Sequence, residues 1–456
     1  MASARPTVST LLALAWPMIV SRSTQTVIGI SDALLVADLG SAAVAATGTG
    51  AFNTFAILIL PMGTLSIVQS FVSQLFGKGD LAGARRYAWY GLILALETQL
   101  VCMAGALLVP IALAKFSYAP DVRELMTRYM QIRLMCGGAA MGIEALGAYY
   151  AGMGRTRLPM IASVFAMVLN VALNWVLVRG RLGAPAMGVP GSALASALAT
   201  WVAFIAFFAF FARERVARSA QSFARSAREY ARMMRFGVPS GLNWFFEFLA
   251  FNVFINVVVA GLGTPALGAM MAVFNINGLS FMPAFGLASA GAILVGQSIG
   301  AGRKEDVPHV LGLTLRTAVL WQACVGVAYL VVPRLLVAPF ARGEDAAAML
   351  EVGVRMVMLS SAWQIFDAIG MTTAESLRAA GDTTWPLGAR LVLAWGLFFP
   401  GSLVTARFFH GTDVHAMLWI VAYMGLLSAV LWLRFRSGQW RAIALTEPAL
   451  EVVAHS

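Results

Sequence analysis

The chain has 456 residues, 60% of them hydrophobic and 12% charged, with a net charge of +11. That excludes a water-soluble globule of this length, which would need far more charged surface. Apolar runs of about 20 residues recur throughout, the mark of a polytopic helical membrane protein. Most Lys and Arg sit in short loops between the runs, without interleaved stacking aromatics, so nucleic acid is not an expected partner. The glycine content fits close helix packing in lipid. Cys102, Cys136 and Cys324 lie in apolar runs without metal spacing and read as buried spacers.

Twelve spans are predicted, at 10–36, 43–74, 88–111, 122–151, 158–178, 188–212, 237–260, 266–299, 309–332, 347–376, 386–406 and 415–434. The expected class is therefore an all-α polytopic membrane protein. With the N-terminus cytoplasmic, the inner loops hold most of the positive residues, among them Lys78, Arg85, Arg86, Arg155, Arg303, Arg378 and Arg390. This bias places both termini inside. The segment 213–235, rich in Arg and central in the chain, reads as a cytoplasmic linker lying on anionic lipid. It divides the chain into 1–212 and 236–456.

The two parts repeat one another. Residues 72–79 (VSQLFGKG) end the second span, and 295–302 (VGQSIGAG) end the eighth, 223 positions later. Residues 154–159 (GRTRLP) follow the fourth span, and 381–386 (GDTTWP) follow the tenth, 227 positions later. Pro17 and Pro239 each open the first span of their part. Two six-helix lobes are implied, related by a pseudo-twofold axis along the membrane normal, with a central cleft between them.

Several polar residues lie where lipid should reject them. Asp32 shares the first span with Pro17, and a carboxylate in lipid costs roughly 2.5–3.5 kcal/mol on insertion scales. Pro17 breaks a helix hydrogen bond and marks an expected flex point. Asn170 and Asn174 share one face of span five in the same outer half as Asp32, and Ser192 lies near the outer end of span six. One carboxylate with amide and hydroxyl oxygens suits a hard monovalent cation such as Na⁺; a desolvated Asp32 could instead carry a proton. Glu247 and Asp367 sit roughly 15 and 16 Å from the cytoplasmic ends of spans seven and ten, near the midplane at one level and without an evident fixed cation. Trp244, Phe245, Asn275, Met282, Trp363 and Gln364 are the expected cavity lining around them, with Met and aromatic side chains suited to varied cationic ligands. Arg22, Glu97, Glu144 and Glu375 read mainly as structural pairs. Arg22 is also placed to act on Asp32.

Taken together, Pro17 with Asp32, 152–159 (GMGRTRLP), 170–174 (NVALN), 237–239 (GVP), 245–247 (FFE), 281–283 (FMP), 295–300 (VGQSIG), Asp367 and the following Arg378 and Asp382 resemble the multidrug and toxin extrusion (MATE) family. The Glu247 and Asp367 pair is similar to its NorM-like branch. Asp38 and Arg22 depart from the family pattern. The resemblance implies the MATE fold and cation-coupled export of cationic amphiphilic compounds, with a first-lobe cation site at Asp32.

No Walker A, HExxH or GxSxG pattern is present, and His309, His410, His415 and His455 have no metal spacing. The expectation is a non-enzymatic, cofactor-free monomer of the inner membrane, driven by Na⁺ or H⁺. Its expected partners are small cationic amphiphiles and membrane lipid. The alternatives are a flippase for a lipid-linked precursor or metabolite, disfavoured by the acidic character of the deep residues, and a membrane sensor or scaffold, which would need no such repeat.

Overall fold

In the computed structural model, residues 5–214, 226–341, 346–409 and 411–446 are described. Residues 215–225 of the predicted linker, His410 and His455 lie outside them. Among the described residues all regular structure is helical. This is the economical solution in lipid, because a helix satisfies its backbone polar groups internally.

The first part contains α1 (Val8–Ala37), α2 (Ser41–Lys78), α3 (Leu81–Leu113), α4 (Pro120–Leu134), α5 (Gly137–Gly152), α6 (Arg157–Leu177) and α7 (Gly188–Arg213). The second contains α8 (Ala227–Val253), α9 (Thr264–Gly300), α10 (Val307–Val331), the short α11 (Pro333–Val337), α12 (Ala346–Ala380), α13 (Thr384–Leu391), α14 (Phe399–Phe408) and α15 (Asp413–Arg436). A π-helical stretch, Phe254–Val259, extends α8, and another, Val392–Phe398, joins α13 to α14.

Ten of these helical stretches are long and apolar enough to cross a membrane. The predicted first span is outside that set, its middle diluted by Ser21, Arg22, Ser23, Thr24 and Gln25. The predicted fourth span is two helices, α4 and α5, parted at Met135 and Cys136. Arg85 and Arg86, expected in a loop, belong to α3. Arg85 is fully buried, donating to the Phe211 carbonyl and standing 3.7 Å over the Phe211 ring. Cys102 and Cys136 are buried as expected, whereas Cys324 is exposed.

The repeated sequence segments adopt the same local geometry. Gly79 and Gly302 close α2 and α9 at φ +82° and +76°, and Gly154 and Gly381 follow α5 and α12 at φ +77° and +93°. A third pair escaped the sequence reading: Gly40 and Gly263 both stand at φ +101° before α2 and α9. These left-handed positions are where glycine escapes the Cβ clash.

The first helix of each part packs across onto the second helix of the other, α1 on α9 and α8 on α2. Leu11, Ala15 and Met18 accordingly enter the hydrophobic core of the second part, and Met233 enters that of the first. The ends of α2 and α9 then meet reciprocally. A Cβ on Gly77 would stand 2.3 Å from the Gln297 carbonyl oxygen, and one on Gly300 1.9 Å from that of Gln74. Gln74 donates to the Ala379 carbonyl (2.8 Å) at the end of α12, and Gln297 to the Gly152 carbonyl (3.1 Å) at the end of α5. The two halves are thus closed together at the end where α2, α9 and α12 finish.

Candidate functional site

Above this closed end lies a cavity of about 760 Å³, lined by both halves. Its floor is made by a pair one turn apart on α12, Glu375 and Arg378. The same Arg378 guanidinium donates to Ser70 Oγ of α2 (3.2 Å) and to the Ser66 carbonyl. Gln69 donates across the same seam to Ser289 Oγ (3.2 Å). Arg378 and Arg390 were expected in inner loops; both instead project from helices into the cavity wall, each held by a carboxylate.

On the first-half wall, Asp32 (7% exposed), Asn170 and Asn174 form one network. Asn174 Nδ2 donates to Asp32 Oδ1 (2.8 Å) and to Asn170 Oδ1 (3.3 Å). Asn170 Nδ2 donates to Ser196 Oγ (2.8 Å), which donates weakly back to Asp32 Oδ2 (3.4 Å). The i,i+4 spacing on α6 puts both amides on the face turned to α1. Ser192, expected here, is fully buried and has no hydrogen-bond partner among the described residues; the hydroxyl that reaches Asp32 comes from Ser196, one turn later on α7. Asn174 Oδ1 is also buried without a partner among the described residues, so a spare oxygen stands beside the carboxylate. Arg133 of α4 lines the same cavity as Asp32, with no ion pair between them among the described residues.

Arg22 does not serve Asp32. It forms a two-pronged pair with Glu144 of α5 (2.6 and 3.3 Å), its guanidinium 5.3 Å from the centre of the Phe285 ring in the other half. Glu97 accepts from the Tyr230 hydroxyl, and Asp38 pairs with Arg179.

On the second-half wall, Glu247 of α8 and Asp367 of α12 both line the cavity. The absence of a fixed cation holds for only one of them. Glu247 is ion-paired with Arg390, whose side chain is 10% exposed against 33% for Glu247. Asp367 has no ion-pair or hydrogen-bond partner among the described residues.

Trp244 and Met282 line the cavity as expected, together with Phe281 and Phe285. The other four expected lining residues lie elsewhere. Phe245, a residue further round α8, turns its ring onto Phe246. Asn275 is exposed and returns its amide to the Met271 carbonyl, as polar side chains in helices do when nothing else is offered. Trp363 and Gln364 lie one turn of α12 beyond Asp367: Trp363 is packed in the second-half core, and Gln364 donates to Asn277. Ser196, Arg133 and Arg390 are the site residues that sequence reasoning missed. Pro17 is buried within α1, which runs through it unbroken.

A family model described as MatE matches residues 17–176 and 239–404. The chain is 28% identical over 412 residues to a probable multidrug resistance protein NorM of Neisseria meningitidis serogroup A, covering 87% of each chain. It is 26% identical to the multidrug resistance protein PmpM of Pseudomonas aeruginosa, covering 93% of this chain and 90% of that one. Among solved structures, a MOP-superfamily transporter from Pyrococcus furiosus superposes with a TM-score of 0.88 at 19% identity, covering 96% of this chain and 97% of that one. An outward-facing multidrug resistance MATE transporter gives 0.85 at 20% identity, covering 96% and 98%. With both repeated parts matched, this chain belongs to the MatE family and is a NorM-like transporter.

Proposed function

We propose that the protein is a cation-coupled antiporter that exports cationic amphiphilic drugs or toxic organic compounds by alternating access. The observation that carries this reading is the cavity shared by both halves with Asp367 unpaired on its wall. A drug-sized cation placed there meets the carboxylate and the faces of Trp244, Phe281 and Phe285, with Met282 adapting to its outline. The names of the relatives, multidrug resistance proteins, support efflux as the direction.

Asp32 is the coupling site in this reading. With Asn170, Asn174 and Ser196 it offers the oxygens a Na⁺ ion takes, the spare Asn174 Oδ1 included, and its carboxylate is equally a proton carrier. Coupling follows if the ion and the drug bind the two conformations unequally, since only differential affinity shifts such an equilibrium. Pro17, fifteen residues short of the network's level on α1, lets that helix bend as the ligands of Asp32 change.

The reciprocal meeting of the α2 and α9 ends supports two six-helix lobes, 1–212 and 236–456, with twelve spans counting α1 and the α4–α5 pair. Of the predicted linker 213–235, the part from Ala227 on is the start of α8, where Glu229 pairs with Arg86 of α3. The positive residues near the closed end support a cytoplasmic setting for it and for both termini, in an inner membrane, so the conformation described is outward-open. The unit of function is a monomer without a cofactor.

Flux of ethidium into or out of proteoliposomes under an imposed Na⁺ or pH gradient tests this. Gradient-driven movement is expected, lost in Asp367→Asn and uncoupled from the ion in Asp32→Asn. No gradient-driven flux of any organic cation refutes export; undiminished flux in both variants refutes the site.

A further inference from the structure

The two second-half carboxylates differ in one respect that sequence does not reveal. Glu247 already has a cation, and Asp367 has none among the described residues. The cation is Arg390, the penultimate residue of α13, directly before the π-helical stretch Val392–Phe398. Arg390 is 8% exposed, with the Tyr423 side chain beside it, while the Glu247 carboxylate faces the cavity. A ligand can therefore approach the carboxylate from the open side while the arginine holds it from the protein side. The π-helical stretch begins two residues after Arg390, the kind of irregularity that often marks a functional site.

The other charged residues of the wall, Asp32 and Arg133 of the first half excepted, are paired within the protein. Arg22 faces Glu144, Arg378 faces Glu375, and Arg434 faces Asp382. With Arg390 in place, the second-half wall offers one uncompensated negative charge, Asp367. With Arg390 withdrawn it offers two.

We propose that Arg390 is a built-in competitor of the cargo: it occupies Glu247 in the empty protein, lowers the affinity for organic cations, and sets the site's preference for one positive charge over two. This rests on the export reading above. The physical basis is mass action. A ligand that must first displace a resident partner binds more weakly by the fraction of time the acceptor is free. Arg390 is a positioning and selectivity residue, not a ligand of the cargo.

Equilibrium binding of ethidium (one charge) and methyl viologen (two charges) to the purified full-length protein tests the proposal. In Arg390→Gln, ethidium binding tightens several-fold and methyl viologen binding by about tenfold or more, because the second carboxylate becomes available. Arg390→Lys, which keeps the charge on a shorter-reaching, differently shaped head group, shifts both in the same direction by less. Adding Glu247→Gln to Arg390→Gln cancels the gain for the dication. A merely structural Arg390 would move both ligands equally or weaken both, and that result overturns the proposal. If Arg390→Gln does not fold, an unshifted methyl viologen to ethidium ratio in Arg390→Lys overturns it. A wild-type protein that binds neither dye refutes the export reading itself. A wild type that binds both, with unchanged variants, refutes only the role of Arg390.

Discussion

Gly300→Ala separates the closure of the two halves from the chemistry of the cavity, since it touches no cavity residue. A Cβ at position 300 would stand 1.9 Å from the Gln74 carbonyl oxygen, where real Cβ atoms keep at least 3.0 Å. The neighbour is backbone in the middle of a packed seam, so relief requires the halves to part by about 1 Å at this end. Overpacking of this kind costs about 1–3 kcal/mol, which shifts the balance toward the opposite conformation by about 5- to 150-fold. The assay is the rate at which a membrane-impermeant maleimide, added from the side on which α2 ends, labels a cysteine placed at Ser70. Ser70 is 2% exposed, and Cys102, Cys136 and Cys324 are replaced beforehand. Labelling is expected to accelerate in Gly300→Ala relative to the same cysteine protein with Gly300 intact. Gly77→Ala, at 2.3 Å from the Gln297 carbonyl oxygen, should do the same, as the reciprocal contact demands. A folded Gly300→Ala with an unchanged labelling rate refutes the seam as the element that holds the closed end.

Three further outcomes are expected. Asn174→Ala takes from Asp32 its 2.8 Å hydrogen bond, so the half-saturating concentration of the coupling cation should rise about 10- to 100-fold while the drug KM holds; an unmoved cation dependence refutes the first-half site. Arg22→Met leaves Glu144 half-buried and alone, at a cost of roughly 1–2 kcal/mol, and Arg22→Met with Glu144→Gln should recover most of the lost melting temperature; equal losses in single and double variants would show that the pair is not coupled. Arg378→Gln removes the donors to the Ser66 carbonyl and Ser70 Oγ and should raise Ser298→Cys labelling from the closed side; slower labelling would mean that Arg378 holds the opposite conformation.

The membrane class, most helix positions and the internal repeat were legible because each rests on composition or spacing, which lipid enforces strictly. Asn170 and Asn174 were found for the same reason: two amides four residues apart define a face without any tertiary knowledge. Ser192 was expected where Ser196 serves, because sequence spacing does not fix the vertical offset between α1 and α7. Arg378 and Arg390 were read as loop charges because a basic residue near a span end usually snorkels outward. Here carboxylates on α12 and α8 turn both inward: the spacing of Glu375 and Arg378 pointed to the first pair, and no local pattern records the second. Trp363 and Gln364 carried the right chemistry on the right helix, but whether a turn belongs to a cavity or to packing depends on how neighbouring helices splay.

The closed end is made largely of Gly77, Gly237, Gly241, Gly296 and Gly300 with Ser66, Ser70, Ser73, Gln69, Gln74, Ser289 and Gln297. Such a surface wets readily. An apolar seam of about 400 Å² would cost about 10 kcal/mol to expose at each opening, whereas hydroxyls, amides and peptide groups simply exchange each other for water. The halves can therefore fit closely and still come apart repeatedly, because tightness here is a matter of shape and not of hydrophobic adhesion.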